Sequence, residues 1–359
     1  MQKNIFKKGL VFAVIIFFIC TGVVSALNVN LTNESKSVNN GNWLYVGGNG
    51  PGNYTKIQDA IDNAYPGDTV YVYSGIYYEK VMIQISITLL GEEQNQTIID
   101  IDSSGGIVIL VLNAPNVTID GFSFRNHPTM YHNAGIRAYS SSGLMVRNIT
   151  DIYYGGSDFG ISLFYSDHST ITRMFFNYKN NAAIDIQHSH NVTISENHII
   201  GSQMYMVDCY GISLTDSSEI TIIKNNITYN TLSGVYLQNS HNVRIVGNII
   251  QRNKASGVSL LLSNSNIIQN NELSLNVNNG IFIEESKKNT IFENNIYNNG
   301  WEPVFFQNAF HNKWNANFWG EGSSKRYYIQ GTVHFERLNI SFPIWKVDWY
   351  PAQEPYDIP

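Results

Sequence analysis

Short runs in which apolar and other side chains alternate, bounded by Asn, Ser and Gly, recur along most of the chain. In the run opened by Gly234, Val235 and Leu237 alternate with Tyr236; after Gly257 and Gly280 the pattern repeats with Val258 and Leu260, then Ile281 and Ile283. A period of two predicts strands whose apolar set faces inward. The openings Gly211, Gly234, Gly257 and Gly280 stand 23 residues apart. The frame extends back through Ala183, Gly160, Gly135 and Gly106 and forward to Pro303, giving nine copies.

Other columns share the period. Asn225, Asn248, Asn271, Asn294 and Asn317 form one, and Asn230, Asn253, Asn276 and Asn299 another. Ile222, Ile245, Ile268, Ile291 and Trp314 form an apolar column, as do Ile227, Ile250, Leu273, Ile296 and Trp319. A unit of this length, with three short strands and three corners, cannot bury its own apolar side, so copies must stack. The expected fold is all-β: a single parallel β-helix of about nine or more coils, about 4.8 Å apart. The Asn columns are assigned to corners, where Asn tolerates left-handed backbone and stacked amides bond one another.

Both ends of such a rod expose strand edges. Thr55 and Gln58 have capping-box spacing, and Ile57, Ala60, Ile61 and Ala64 form a helical stripe that Pro66-Gly67-Asp68 ends. This predicts a cap helix over 55–65 within a β-helix spanning 43–310. Residues 311–359 are expected to close the other end, with Trp314 and Trp319 plugging it. Trp301, Trp345 and Trp349 lie in the same region.

Composition agrees with this reading: asparagine is roughly one residue in eight, with 22 tyrosines and only 14% charged residues. The net charge of −6 offers no basic footprint, which argues against nucleic acid as a partner. Lys3, Lys7 and Lys8 precede an apolar run from Leu10 to Cys20, followed by Val24-Ser25-Ala26. Residues 1–26 therefore read as a signal peptide, or as a retained anchor in which 10–26 is the membrane contact, and the protein is expected to be extracytoplasmic. Residues 27–42 read as a flexible leader. With the signal removed, Cys209 is the remaining thiol and no intrachain disulfide forms.

The segment from Trp43 to Asp100, containing NYTKIQDAIDNAYPGDTVYVYSGIYYEKV and SITLLGE, together with the NVTI and NNI repeats, resembles right-handed parallel β-helix proteins of the NosD-like group. NKWNANFWG and DWYPAQEPYDIP resemble the closing segments of such proteins. The resemblance implies the right hand of the coil. It also implies a place in the wider class of carbohydrate-binding proteins and sugar hydrolases, on cell surfaces or secreted.

Solenoid insertions gather on a functional face. Here they fall at His127 to Ala134, Tyr153 to Asp158, and Ser202 to Tyr210. They border an outward stripe, Arg137, Ser162, Asp185 and Ser213, which with loop residues Tyr131, Tyr153, Tyr154 and Tyr205 suits an extended glycan. A non-catalytic binding or structural role with a glycan ligand is the preferred expectation. A polysaccharide lyase or hydrolase is the alternative, with Asp158, Asp185 and Asp208 as its candidate acids. No metal is favoured, calcium and copper remaining open. The sulfur and imidazole set His127, Met130, His132, His198, Met204, Met206 and Cys209 has copper-like donor chemistry, and NosD-like proteins are often described as periplasmic copper-binding.

Overall fold

The computed structural model describes residues 41–101, 105–125, 133–152, 159–177, 179–201, 208–320, 325–335 and 340–358. Three parallel faces wind around one apolar core. The Gly-opened face is a sheet of twelve strands; its last two pair antiparallel and the others in parallel, giving eleven stacked rungs. The second face carries strands such as Thr193–Ser195, Thr221–Ile223 and Arg244–Val246, and the third carries His198–Ile200, Asn226–Thr228 and Ile249–Gln251. The long strands Thr118–Arg125 and Met145–Ile152 run through both of these faces and merge them into one sheet.

Register follows the repeat. Ile222 pairs with Ile245, then Ile268, Ile291 and Trp314, and all are buried. Gly234, Gly257 and Gly280 stand directly above one another, just before the paired residues Val235, Val258 and Ile281, and an added Cβ has no room: at Gly234 it would lie 2.4 Å from Ile250 Cγ2, and at Gly280 2.5 Å from Ile296 Cγ2. The period is therefore a packing constraint, the small residue admitting the branched side chain of the third face. One expectation is corrected here. Ile109 pairs with Ile136, so Val108, two residues beyond Gly106, occupies the first Gly position.

The corners are held by ladders. Asn197, Asn225, Asn248, Asn271, Asn294 and Asn317 are buried, and each Nδ2 donates to the next Oδ1 at 2.9 to 3.0 Å. A second ladder runs from Asn230 to Asn299. The left-handed residue is the one before each ladder Asn, as at Lys224 (φ 55), Asn270 (φ 54) and Glu293 (φ 56), so the ladder asparagines serve by amide bonding and not by backbone tolerance. A serine ladder that the repeat analysis did not resolve runs along another corner: the backbone N–H of Ser141 donates to Ser166 Oγ at 3.2 Å, and the pattern continues to Ser263 and Ser286 at 2.8 Å.

The N-terminal helix is shorter than expected, Ile57–Asp62, and buries Ile57, Ala60 and Ile61 over the first rungs. Its capping box does not form. The N–H groups of Ile57 and Gln58 donate to the Glu79 carboxylate at 2.8 and 2.9 Å, and the Gln58 side chain exchanges hydrogen bonds with the Met82 backbone. A carboxylate from a later coil satisfies the helix start better than Thr55, since it also complements the helix dipole. At the other end the coil continues beyond 310. Lys313–Asn315 pairs with Thr290–Phe292, and Tyr327–Phe335 extends the Gly-opened face before Ile340–Asp348 returns antiparallel. Trp314 and Trp319 are buried as plugs, whereas Trp301, Trp345 and Trp349 are exposed.

Candidate functional site

On the Gly-opened face each rung turns two side chains outward. The first column runs Arg137, Ser162, Asp185, Ser213 in adjacent rungs and continues as Tyr236, Ser259, Phe282 and Phe305. The second runs through Tyr139, Phe164 and Gln187 and includes Glu284. The strands therefore bring Arg137, Ser162, Asp185 and Ser213 together as the repeat predicts.

Their exposure differs from expectation. Although they point away from the core, Arg137, Ser162 and Asp185 are buried, Asp185 with 3% of its surface accessible. Ser162 donates to Asp185 Oδ2 at 3.2 Å and Gln187 Nε2 donates to the same oxygen at 2.9 Å. Burial pushes the Asp185 carboxyl up to about 6, against the lowering influence of Gln187, Ser162, Arg137 and Ser213. The Arg137 guanidinium lies 5.6 Å from the centroid of Phe159, and Tyr139 stacks on Phe164 at 5.0 Å. This sector joins a guanidinium, a buried carboxyl raised to about 6 and flat aromatic surface.

The second sector was not anticipated. From Tyr210 to Trp301 the same face opens into a cleft of about 360 Å³. Tyr210 stacks on Tyr236 with centroids 4.7 Å apart, Phe282 lies parallel to Phe305, and Trp301 stands at the rim with 74% of its surface exposed. Ser233 and Ser259 share a hydroxyl hydrogen bond of 2.8 Å within it. The available signal was the recurrence of rings in one outward column, at Tyr236, Phe282 and Phe305.

The candidate acids do not all meet. Asp208 is exposed and precedes Tyr210, which pairs with Ala182, while Asp185 pairs with Ser213, five residues further along than Asp208. Asp158, Tyr131, Tyr153, Tyr154 and Tyr205 lie outside the described residues.

A buried ion pair also went unseen in the sequence. Lys179 Nζ lies 2.7 Å from Asp151 Oδ2, and both side chains are 1% exposed. Asp151 occupies the inward column of Phe124, Phe176, Ile199 and Ile227, and Lys179 follows Phe176 by three residues as Asn230 follows Ile227. An isoleucine and a ladder asparagine are thus replaced by an acid and a base.

Residues 150–335, more than half of the chain, match the family described as periplasmic copper-binding protein (NosD), and residues 73–210 match the right handed beta helix region. The chain belongs to the NosD family. No curated protein matches this NosD-family chain in sequence. Among solved structures it is similar to the Dettilon tailspike protein at 13% identity and a TM-score of 0.64, covering 77% of this chain and 62% of that one. It is also similar to the A-module of the Azotobacter vinelandii mannuronan C-5 epimerase AlgE6, at 16% identity and a TM-score of 0.53, over 77% and 88%. The periplasmic alginate epimerase AlgG matches at 14% identity and a TM-score of 0.52, over 68% and 75%. At these identities the likeness shows the fold.

Copper, which the family's description carries, does not find a site among the described residues of this NosD-family chain. No three His, Cys, Asp or Glu side chains gather there as metal ligands. His198 is exposed on the third face, edge-on to Phe175, whereas Cys209 is buried with its Sγ 3.8 Å from Asn230 Oδ1, so the two do not converge. His127, Met130, His132, Met204 and Met206 lie outside the described residues. Among the described residues no helix is long and apolar enough to cross a membrane.

Proposed function

We propose that this NosD-family chain is an extracytoplasmic glycan-binding protein that holds an extended polysaccharide along its Gly-opened face without turning it over. The observation that carries this reading is the stacked Tyr210–Tyr236 pair opening onto the cleft rimmed by Trp301, on the same face as Arg137 and Asp185. Aromatic faces take sugar C–H surfaces, and the hydroxyl, amide and carboxylate groups between them fix orientation. Two of the similar structures are, by their names, alginate and mannuronan epimerases, proteins that act on polysaccharides. The family's description and the apolar leader support a place outside the cytoplasm. A glycan array probed with the mature chain tests it: retention of an unmodified oligosaccharide, lost in Tyr236→Ala, is expected, and no retained sugar on folded protein would overturn it.

A second reading, a polysaccharide lyase or hydrolase, is favoured by the buried Asp185, its carboxyl raised to about 6, two rungs from Arg137 in the same outward column. It requires new reducing ends or an unsaturated product from a retained glycan, and their loss in Asp185→Asn.

A further inference from the structure

The glycan reading leaves open which sugars the face takes, and the two sectors differ in charge. The cleft between Tyr210 and Trp301 crosses five rungs, about 19 Å by sheet spacing. Its floor is Tyr236, Ser259 and Phe282. One wall rises at the corner, where Trp301 is held by its backbone N–H donating to Asn278 O at 2.9 Å. The other edge carries Glu284, the single charged side chain among the described residues that line the cleft; no described Lys or Arg lines it. Burial raises both tyrosine hydroxyls above their ordinary range; at Tyr210 the neighbouring Tyr236 and then Asp208 add to this, and at Tyr236 Glu284 does. Arg137, by contrast, stands on the far side of Ser162, Asp185 and Ser213, four rungs before Tyr236.

Resting on the glycan reading above, we infer that the Tyr210–Trp301 cleft is a subsite for neutral pyranose units, its rings taking sugar faces and Glu284 accepting hydrogen bonds from sugar hydroxyls. A uronate carboxylate brought to the same floor meets Glu284 with no Lys or Arg among the described lining residues, and like charges in a partly desolvated groove repel. A neutral sugar offers hydroxyl donors that suit a carboxylate acceptor, and such charge-assisted bonds are the stronger kind.

The test uses one backbone in two charge states, an oligogalacturonide and its methyl ester, with a neutral gluco-oligosaccharide as a third probe, titrated calorimetrically into the mature chain. The ester and the neutral sugar are expected to bind about tenfold tighter than the free acid. Glu284→Gln is expected to raise affinity for the free acid while weakening the neutral sugar. Trp301→Ala, at an exposed position where folding is not at stake, is expected to lower affinity for the ester and the neutral sugar about tenfold. Equal or tighter binding of the free acid, unaffected by Glu284→Gln and lost in Arg137→Ala, would overturn this inference while leaving glycan binding intact. Absence of binding by all three probes and by every sugar on the array would overturn both.

Discussion

Asn317 donates its backbone N–H and its Nδ2 to one oxygen of Asp348, at 3.0 and 3.2 Å. The asparagine ladder thus terminates on a carboxylate supplied by the antiparallel return strand. The same buried carboxylate accepts from Trp319 Nε1 and from the backbone N–H groups of Ala316 and Tyr350. A ladder in which each amide relies on the next needs an end that accepts without donating.

Replacing Asp348 by Ala strands several buried donors at once and is expected to cost about 3 kcal/mol. Asp348→Asn keeps one acceptor oxygen and is expected to lose less. Denaturant unfolding measures the loss, and hydrogen exchange at Asn317 and Trp319 locates it; unchanged protection in the Ala variant would show that the cap contributes nothing.

Asp185 makes stability depend on pH in a definite direction. Its carboxyl is raised from 3.8 to about 6, so the native state favours the protonated form. That contribution is complete below about pH 4 and is lost as pH rises through about 6. Asp185→Asn, neutral throughout, is therefore expected to exceed the natural chain in stability by about 3 kcal/mol above neutrality and to match it in acid. Unfolding curves across that range check the sign.

The Asp151–Lys179 pair is expected to be costly to break and cheap to replace. Lys179→Met leaves a buried carboxylate and should lose about 3 to 5 kcal/mol. Asp151→Ile combined with Lys179→Asn restores the residues that later rungs carry, and should recover all of that loss. A double variant no more stable than Lys179→Met would mean that the site does not accept the repeat residues.

Two glycines of the repeat region separate packing from backbone conformation. At Gly257 an added Cβ would lie 2.7 Å from Gly280 O and 2.9 Å from Asn276 Nδ2, so Gly257→Ala should cost about 2 kcal/mol. Gly247 has φ +64, an added Cβ there would meet only Lys224 Cγ at 4.0 Å, and its equivalents in neighbouring rungs are Lys224, Asn270 and Glu293. Gly247→Asn should therefore stay within about 0.5 kcal/mol of the parent. Thermal melts of the two variants give the comparison.

Much of this fold was legible because a solenoid writes its contacts at a constant sequence separation. Ile222 meets Ile245 and Asn225 meets Asn248 for the same reason, a coil of 23 residues. Where coil length varies, the reading slips: the longer interval before Gly135 hid the two-residue offset that places Val108 opposite it. The helix cap failed similarly, because Thr55 and Gln58 are neighbours in sequence whereas the acceptor in use, Glu79, comes from another coil. For the site, alternation placed Arg137, Ser162, Asp185 and Ser213 in one column, but it could not give their burial. Asp151 and Lys179 looked like ordinary charges until the columns were aligned.

The amino-acid sequence by itself determined the stacked coil, its inward and outward columns and its amide ladders, because vertical neighbours are set by repeat length and strand periodicity alone. Only the tertiary structure decided which outward residues lie shielded, that Asp185 holds its proton to near neutrality, and that Tyr210, Tyr236 and Trp301 enclose a cleft. Those properties depend on lateral neighbours contributed by corners and loops, whose distance in space is not tied to any fixed separation along the chain.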